Sequence, residues 1–297
     1  KRNGLPIAGA TAATYTITGA TPWRDNGWYQ VAASNSTASA NSAVVFVNVV
    51  VNRANVAVWG ADNMPDQNST AATLTSVVVI DTFERFDLAL KADGSVAGWG
   101  SNYYGETSLP TGLTGIVGIG AGYGHSVALK SDGTVLVWGL NDSRQLAVPS
   151  GLKDVVSIAA GGGFTVALKS DGTVAAWGQN NSGQVTVPNG LAQVIAVAAG
   201  TGHALALLAD GTVFAWGLNG NGQATVPAGL RSVVKIAAGT EHSVALKSDG
   251  TVVAWGWTSP VPVGLSNVVD ISAGHIGAVL VLRADGSVVA WGNNSSG

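Results

Sequence analysis

Residues Val233 to Gly256 read VVKIAAGTEHSVALKSDGTVVAWG. Apolar runs of strand length alternate here with Gly or Asp-Gly, which is strand chemistry punctuated by turns. The Asp-Gly pair sits between the VALK run and the TVVAWG run. A tight hairpin at that point needs a positive φ, which glycine adopts without steric cost. The stretch therefore predicts three short antiparallel strands.

The same unit recurs along the chain. Trp-Gly occurs at Trp59, Trp99, Trp138, Trp177, Trp216, Trp255 and Trp291, at intervals of 40, 39, 39, 39, 39 and 36 residues. Asp-Gly recurs in phase with it at Asp93, Asp132, Asp171, Asp210, Asp249 and Asp285. After Trp-Gly comes a polar loop, then a Val-Pro-x-Gly-Leu segment around Pro149, Pro188, Pro227 and Pro262. Proline lacks a donor N–H and belongs at a sheet edge, so this segment predicts a weaker, outer fourth strand. Four short antiparallel strands repeated every 40 residues or so are the sequence form of an all-β propeller. The small-residue run IAAG and its counterparts suit the innermost position, where radial strands crowd. The seven tryptophans then read as framework, filling the wider space between blades.

These residues resemble the regulator-of-chromosome-condensation repeat superfamily, and within it the bacterial branch of the propeller-type β-lactamase inhibitory proteins. The matching pattern is VxxIAAGxxHSVALKxDGxVxAWGxNxxGQxxVP, seen in Val194 to Pro227 with small departures. The resemblance runs from about Asn55 to Gly292. It implies a seven-bladed propeller in which an early strand, here Asn55 to Gly60, closes the last blade. The chain provides six full repeat units plus that strand, and it stops at Asn293 to Gly297 in mid-loop. The seventh blade is thus expected to be incomplete, its missing strands lying beyond Gly297 or coming from another chain; a closed six-bladed ring is the other arrangement. The first residues resemble the C-terminal strands of an immunoglobulin-like domain, with TYTIT at Thr14 to Thr18, DNGWYQV at Asp25 to Val31 and Tyr29 as corner tyrosine. The domains are accordingly a partial immunoglobulin-like sandwich over 1–51 and the repeat propeller over 52–297.

Composition narrows the chemistry. Among 297 residues, 14 Lys and Arg stand against 17 Asp and Glu. That balance gives no basic footprint for nucleic acid. With no cysteine, disulfides and thiolate zinc sites are excluded. No apolar run approaches the ~20 residues of a spanning helix. His125, His203 and His242 share one repeat position, but Phe86, Phe164 and Ala278 fill it elsewhere. A packed ring bonded to nearby backbone is therefore expected, not a metal or proton site, and His275 lies out of register. Six aspartates are committed to turns. No nucleophile elbow, phosphate loop or paired acids emerge, so neither catalysis nor a cofactor is expected.

Binding on repeat folds falls to the loops that vary. Two classes vary here, one after each Trp-Gly and one before the histidine position. Exposed aromatic and arginine residues there make the strongest contacts. They nominate Phe83, Arg85, Tyr103, Tyr104, Tyr123, Arg144 and Trp257, with Glu241 at the same loop position. The inhibitor branch often carries an aromatic second in the loop before the histidine. Here Arg85, Gly124, Gly163, Gly202 and Glu241 stand there, so β-lactamase inhibition is not carried over. Neither are nucleotide-exchange or chromatin roles. The sequence favours an extracellular binding or adhesion module for a protein partner. A surface filament or layer assembled through open strand edges is the alternative, and a glycan-binding lectin a third.

Overall fold

A computed structural model describes residues 73–293 and, before them, the backbone of four short strands. Strand β1 (Gly27–Tyr29) pairs antiparallel with β4 (Val45–Val47), and β2 (Ala32–Ser34) with β3 (Ser39–Asn41). The expected domain boundary at 51/52, the closing strand Asn55–Gly60 and its Trp59 lie outside the described residues.

From residue 77 onward the repeat becomes six three-stranded antiparallel sheets. The first holds β5 (Val77–Phe83), β6 (Phe86–Lys91) and β7 (Val96–Gly100), and the second β8 (Ile116–Ala121), β9 (His125–Lys130) and β10 (Val135–Gly139). The third holds β11 (Val155–Ala160), β12 (Phe164–Lys169) and β13 (Val174–Gly178), and the fourth β14 (Val194–Ala199), β15 (His203–Leu208) and β16 (Val213–Gly217). The fifth holds β17 (Val233–Ala238), β18 (His242–Lys247) and β19 (Val252–Gly256), and the sixth β20 (Val268–Ala273), β21 (Val279–Arg283) and β22 (Val288–Trp291). The leading strands β5, β8, β11, β14, β17 and β20 pack one on the next in chain order, which places them innermost, as their small residues require. The middle strands are buried on both faces, as at Val244, Ala245 and Leu246. Continuous apolar runs are the pattern such burial demands.

Local chemistry explains the repeat's punctuation. In the Asp-Gly turn of the fifth sheet, Lys247 N donates to Thr251 O at 2.9 Å and Gly250 N to Lys247 O at 3.0 Å. Asp249 Oδ1 accepts both the amide (3.0 Å) and the hydroxyl (2.6 Å) of Thr251. Those bonds hold the Asp249 carboxyl below its ordinary range, the Thr251 hydroxyl contributing most. The Trp-Gly glycine has a different reason. Gly178 has φ +106°, and a Cβ there would stand 2.5 Å from the carbonyl oxygen of Gly163. The next amide, Gln179 N, donates to that same carbonyl at 2.8 Å. Only glycine lets the strand end turn so close to the neighbouring loop.

The outer fourth strand does not form among the described residues. Instead, Leu152, Leu191, Leu230 and Leu265 donate their amides to the carbonyls of Pro149, Pro188, Pro227 and Pro262 at 3.1–3.2 Å. The glycine between them has φ near +78° in each case (+77° to +79°). That is a turn with positive φ at its third position. Proline starts the turn and removes the donor a ladder would need, so the segment becomes a corner.

Adjacent sheets are joined at two levels. Near the axis, Tyr123 N donates to Gly161 O (3.1 Å), Gly162 N to Gly200 O (3.2 Å) and Thr240 N to Gly274 O (3.3 Å). A Cβ on Gly161 or Gly200 would fall 2.4 or 2.2 Å from the next sheet's glycine carbonyl. Farther out, the indole Nε1 groups of Trp138, Trp177, Trp216 and Trp255 donate to the backbone carbonyls of Glu106, Gln145, Gln184 and Gln223 at 2.8–2.9 Å. The framework tryptophans are thus half hydrophobic filler and half hydrogen-bonded joint. The loop after Trp255 is the short one and carries no glutamine, and the indole N–H of Trp291 is buried without a partner.

Gly178→Ala should lower the unfolding midpoint by the equivalent of about 2–3 kcal/mol, because it adds a clash to the left-handed strain. Gly183→Ala, at φ +81° but with no atom within 4 Å, should lose only about 1–2 kcal/mol. Urea unfolding of the two variants checks the order. Equal losses would contradict the close approach at the Trp-Gly step.

Candidate functional site

The two variable loop classes lie on one face, because each is hydrogen-bonded to the other. Ser101 N donates to Arg85 O (2.8 Å), Leu140 N to Gly124 O (2.7 Å) and Trp257 N to Glu241 O (2.9 Å). Residues far apart in sequence are thereby brought side by side. Four of the nominated residues gather at the seam of the first and second sheets. Phe83 and Tyr123 meet edge to face with ring centroids 6.4 Å apart, and Tyr103 and Tyr104 do the same at 4.8 Å. Tyr104 lies over Gly124, where a Cβ would come within 2.7 Å of its ring. Burial and the neighbouring Tyr123 and Tyr103 push the Tyr104 hydroxyl above its ordinary value.

The patch is both exposed and held. Tyr103 is 85% accessible, and Tyr104 and Tyr123 are also exposed, while Phe83 is half-buried. Beneath them Glu106 is buried, accepting from Ser101 Oγ (2.7 Å) at one oxygen and from Tyr104 N (2.7 Å) at the other. The loop is therefore rigid at its base and aromatic at its tip. Gln145, Gln184 and Gln223 repeat this device, accepting the amides of Ser143, Ser182 and Asn221. Arg85 and Arg144 are exposed on the loops at either side of the patch, Arg144 with φ +63°. The remaining nominated residues lie elsewhere. Trp257, 55% accessible, and Glu241 are neighbours in the fifth sheet's loops, and Glu241 Oε2 accepts from Asn221 Nδ2 at 2.8 Å.

The histidines are packed, but their partners differ from the local backbone expected. His125 Nε2 lies 3.2 Å from Thr165 Oγ1 and His203 Nε2 lies 2.9 Å from Ser243 Oγ, each in the next sheet. Ser243 Oγ donates to Gln223 O at 2.9 Å, so it accepts from His203, and Nε2 carries the proton. His242 Nε2 donates to Ala278 O at 3.2 Å. The Nδ1 atoms of all three are buried without partners, which for His203 and His242 matches a lone pair on a neutral ring. Where the ring is Phe164, the residue forty positions on is Ala204, and the two share a core cluster. At His125 and His203 ring and hydroxyl go together, a pairing readable in the sequence only once the sheets are known to be neighbours, whereas Phe86 is followed forty positions on by Ser126 and His242 has Val279 at the hydroxyl position. Burial pushes His125 and His203 down to about 4 and lowers His242. Among the described residues no cluster of three or more His, Cys, Asp or Glu could hold a metal ion, and no helix is long and apolar enough to cross a membrane.

Residues 116–145, 155–184, 194–223, 233–259 and 268–297 match the family described as the regulator of chromosome condensation (RCC1) repeat. The fold is similar to yeast RCC1 (Prp20), solved bound to Kap60, with TM-score 0.64 and 21% identity over 78% of this chain and 72% of that one. It is similar also to the ectodomain of the Physcomitrella patens receptor kinase CR4, with TM-score 0.62 and 26% identity over 73% of this chain and 61% of that one. Human WBSCR16 matches at TM-score 0.62 and 21% identity, over 73% and 77%. This chain therefore spans about three-fifths of the CR4 ectodomain. No curated protein matches it in sequence.

The buried histidines give stability a sign against acid. Their folded pKa lies below the unfolded value near 6.5, so the unfolded chain binds protons first as pH falls from about 6.5 towards 4. Urea midpoints should drop from about pH 7 to about pH 5. His125→Phe and His203→Phe, following Phe86 and Phe164, should each flatten that fall. An unchanged slope in both variants would contradict burial of neutral imidazoles.

Proposed function

Since the chain carries RCC1-type repeats folded as a propeller of that type, we propose that it is a non-enzymatic module that binds a protein partner through Phe83, Tyr103, Tyr104 and Tyr123. The observation that carries this reading is the aromatic patch itself. Four rings from three loops converge on one seam, on a face where the other loops are mostly Asn, Ser and Gly. Tyrosine offers large contact area at low entropic cost, and Ser, Gly and Asn offer adaptable hydrogen bonds, which is the composition of protein-recognition loops. SNYYG at Ser101 to Gly105 is such a stretch.

The similar structures are in keeping with this use. Yeast RCC1 (Prp20) is solved with Kap60, and Prp20p is described with its binding to Gsp1p and histones. CR4 and the Arabidopsis thaliana ACR4 carry such a propeller in receptor-kinase ectodomains. Here the partner is a protein of the extracellular or cell-surface environment. The module belongs to a seven-bladed-type ring, with an immunoglobulin-like unit over 1–51 as its spacer in a bacterial adhesion protein.

Tyr103→Ala with Tyr123→Ala tests the reading. Surface or matrix proteins captured saturably by the chain should bind the double variant at least about 30-fold more weakly, the scale of lost hot spots. Its unfolding midpoint should shift by no more than about 0.5 kcal/mol per exposed site. Val288→Ser, at an exposed site on β22, serves as control. Binding unaffected by the double variant would contradict the assignment.

A further inference from the structure

The seam of the fourth and fifth sheets departs from its neighbours. Gly124, Gly163 and Gly202 precede the ring position in the second, third and fourth sheets, and Glu241 stands there in the fifth. A Cβ on those glycines would meet the residue that follows Trp-Gly, 3.2 Å from Leu140 Cβ, 3.0 Å from Gln179 Oε1 and 3.1 Å from Leu218 Cβ. Glycine therefore lets Leu140, Gln179 and Leu218 fold back, and all three are half-buried. Glu241 supplies the missing Cβ, and the residue after its Trp-Gly is Trp257, which stands 55% accessible. The backbone beneath the indole is held all the same. Trp257 N donates to Glu241 O at 2.9 Å, Thr258 N to Gly256 O at 3.1 Å and Thr258 Oγ1 to Gly277 O at 3.2 Å. An indole is thus presented to solvent on a fixed stem, next to a carboxylate.

The polar side chains at this seam leave one donor unmet. Asn221 joins two of them: its backbone N donates to Gln223 Oε1 at 2.9 Å, and its Nδ2 donates to Glu241 Oε2 at 2.8 Å. The first bond fixes which end of the Gln223 amide is the oxygen. Gln223 is fully buried, and its Nε2 has no partner. The amide nitrogens of Gln145 and Gln184, at the same repeat position, are not left in that state. A buried donor without an acceptor is costly and calls for a reason. Glu241 Oε1 and Asn221 Oδ1 add acceptors to the same cluster.

We propose that Trp257, Glu241, Asn221 and Gln223 form a subsite for a neutral saccharide, separate from the aromatic patch at the seam of the first and second sheets. A pyranose has an apolar face of C–H bonds and an edge of hydroxyls. Its C–H bonds carry partial positive charge and suit the negative face of the indole. Each hydroxyl both donates and accepts. Adjacent hydroxyls can therefore donate to the Glu241 and Asn221 oxygens while one accepts from Gln223 Nε2. Asn221 is exposed and Glu241 half-buried, so their bond can open to admit a hydroxyl to Gln223. A cation would also favour indole and carboxylate. Ammonium and guanidinium groups only donate, however, and would leave the Gln223 donor unmet. The donor and acceptor set thus selects a polyhydroxyl ligand over a cationic one.

NMR titration of the whole chain with the methyl glycosides of glucose, galactose, mannose and N-acetylglucosamine is the test. At least one sugar should shift the Trp257 indole N–H and the Gln223 side-chain amide together and saturably, with a Kd on the order of 1 mM, as weak as one exposed ring and a few hydroxyl bonds allow. Trp257→Ala should weaken that binding by about tenfold or more. Gln223→Glu, which follows Glu106 at the same repeat position, should stay folded and weaken it as well, because it removes the donor. Glu241→Gly, which restores the residue of the neighbouring sheets, should likewise stay folded and lose the sugar. No saturable shift with any of the sugars would overturn the subsite, as would undiminished binding in Trp257→Ala. Saturation by tetramethylammonium and not by sugars would overturn it in favour of a cation site. The Tyr103→Ala with Tyr123→Ala variant should bind the sugar unchanged, so failure here and failure of the patch are told apart.

Discussion

A single backbone carbonyl per joint carries much of this fold. The carbonyl of Gln223 receives Trp255 Nε1 and Ser243 Oγ from the following sheet, and the same Ser243 hydroxyl receives His203 from the preceding one. Indole, hydroxyl and imidazole converge in a buried place, where an unmade hydrogen bond costs more than a made one returns. The arrangement explains why tryptophan, and not another large apolar residue, stands before the glycine: its ring fills the gap and its N–H closes it. At the short loop after Trp255 the acceptor is missing and Val279 stands at the serine position. That joint relies instead on His242 to Ala278 O and on the apolar cluster around Val244, Ile271 and Val281.

Much of this was legible in the sequence because the repeat is strict. The period, the three strands, the Asp-Gly hairpins and the innermost small residues follow from spacing and from what glycine permits. The outer fourth strand was misread. Val-Pro-x-Gly-Leu contains an edge-strand signal and a turn signal, and the turn wins because positive φ at glycine and the missing proline donor act together. The buried role of Glu106, Gln145, Gln184 and Gln223 was missed altogether. Polar residues in a polar loop read as solvated, though their recurrence seven residues after each tryptophan was a signal.

The binding surface was legible by residue and not by arrangement. Variation and aromatic character nominate Phe83, Tyr103, Tyr104 and Tyr123 one by one. Only the hydrogen bonds from Ser101 to Arg85 and from Leu140 to Gly124 bring them to one seam, and Trp257 and Arg144 are left outside it. Framework and recognition are separable on this fold. The joints are made by buried backbone carbonyls that tolerate little, and the loop tips above them vary without disturbing those carbonyls. Glu106 shows the division within one residue: its carbonyl serves Trp138 and Ser126, while its carboxylate braces the tyrosine loop.

The joint is most directly tested by hydrogen exchange of the tryptophan indole N–H groups, followed by NMR. The indoles of Trp138, Trp177, Trp216 and Trp255 should exchange together and slowly, near the rate of global opening, while the exposed Trp257 exchanges fast. Exchange of any of those four as fast as Trp257 would contradict the carbonyl joint as the element that holds neighbouring sheets together.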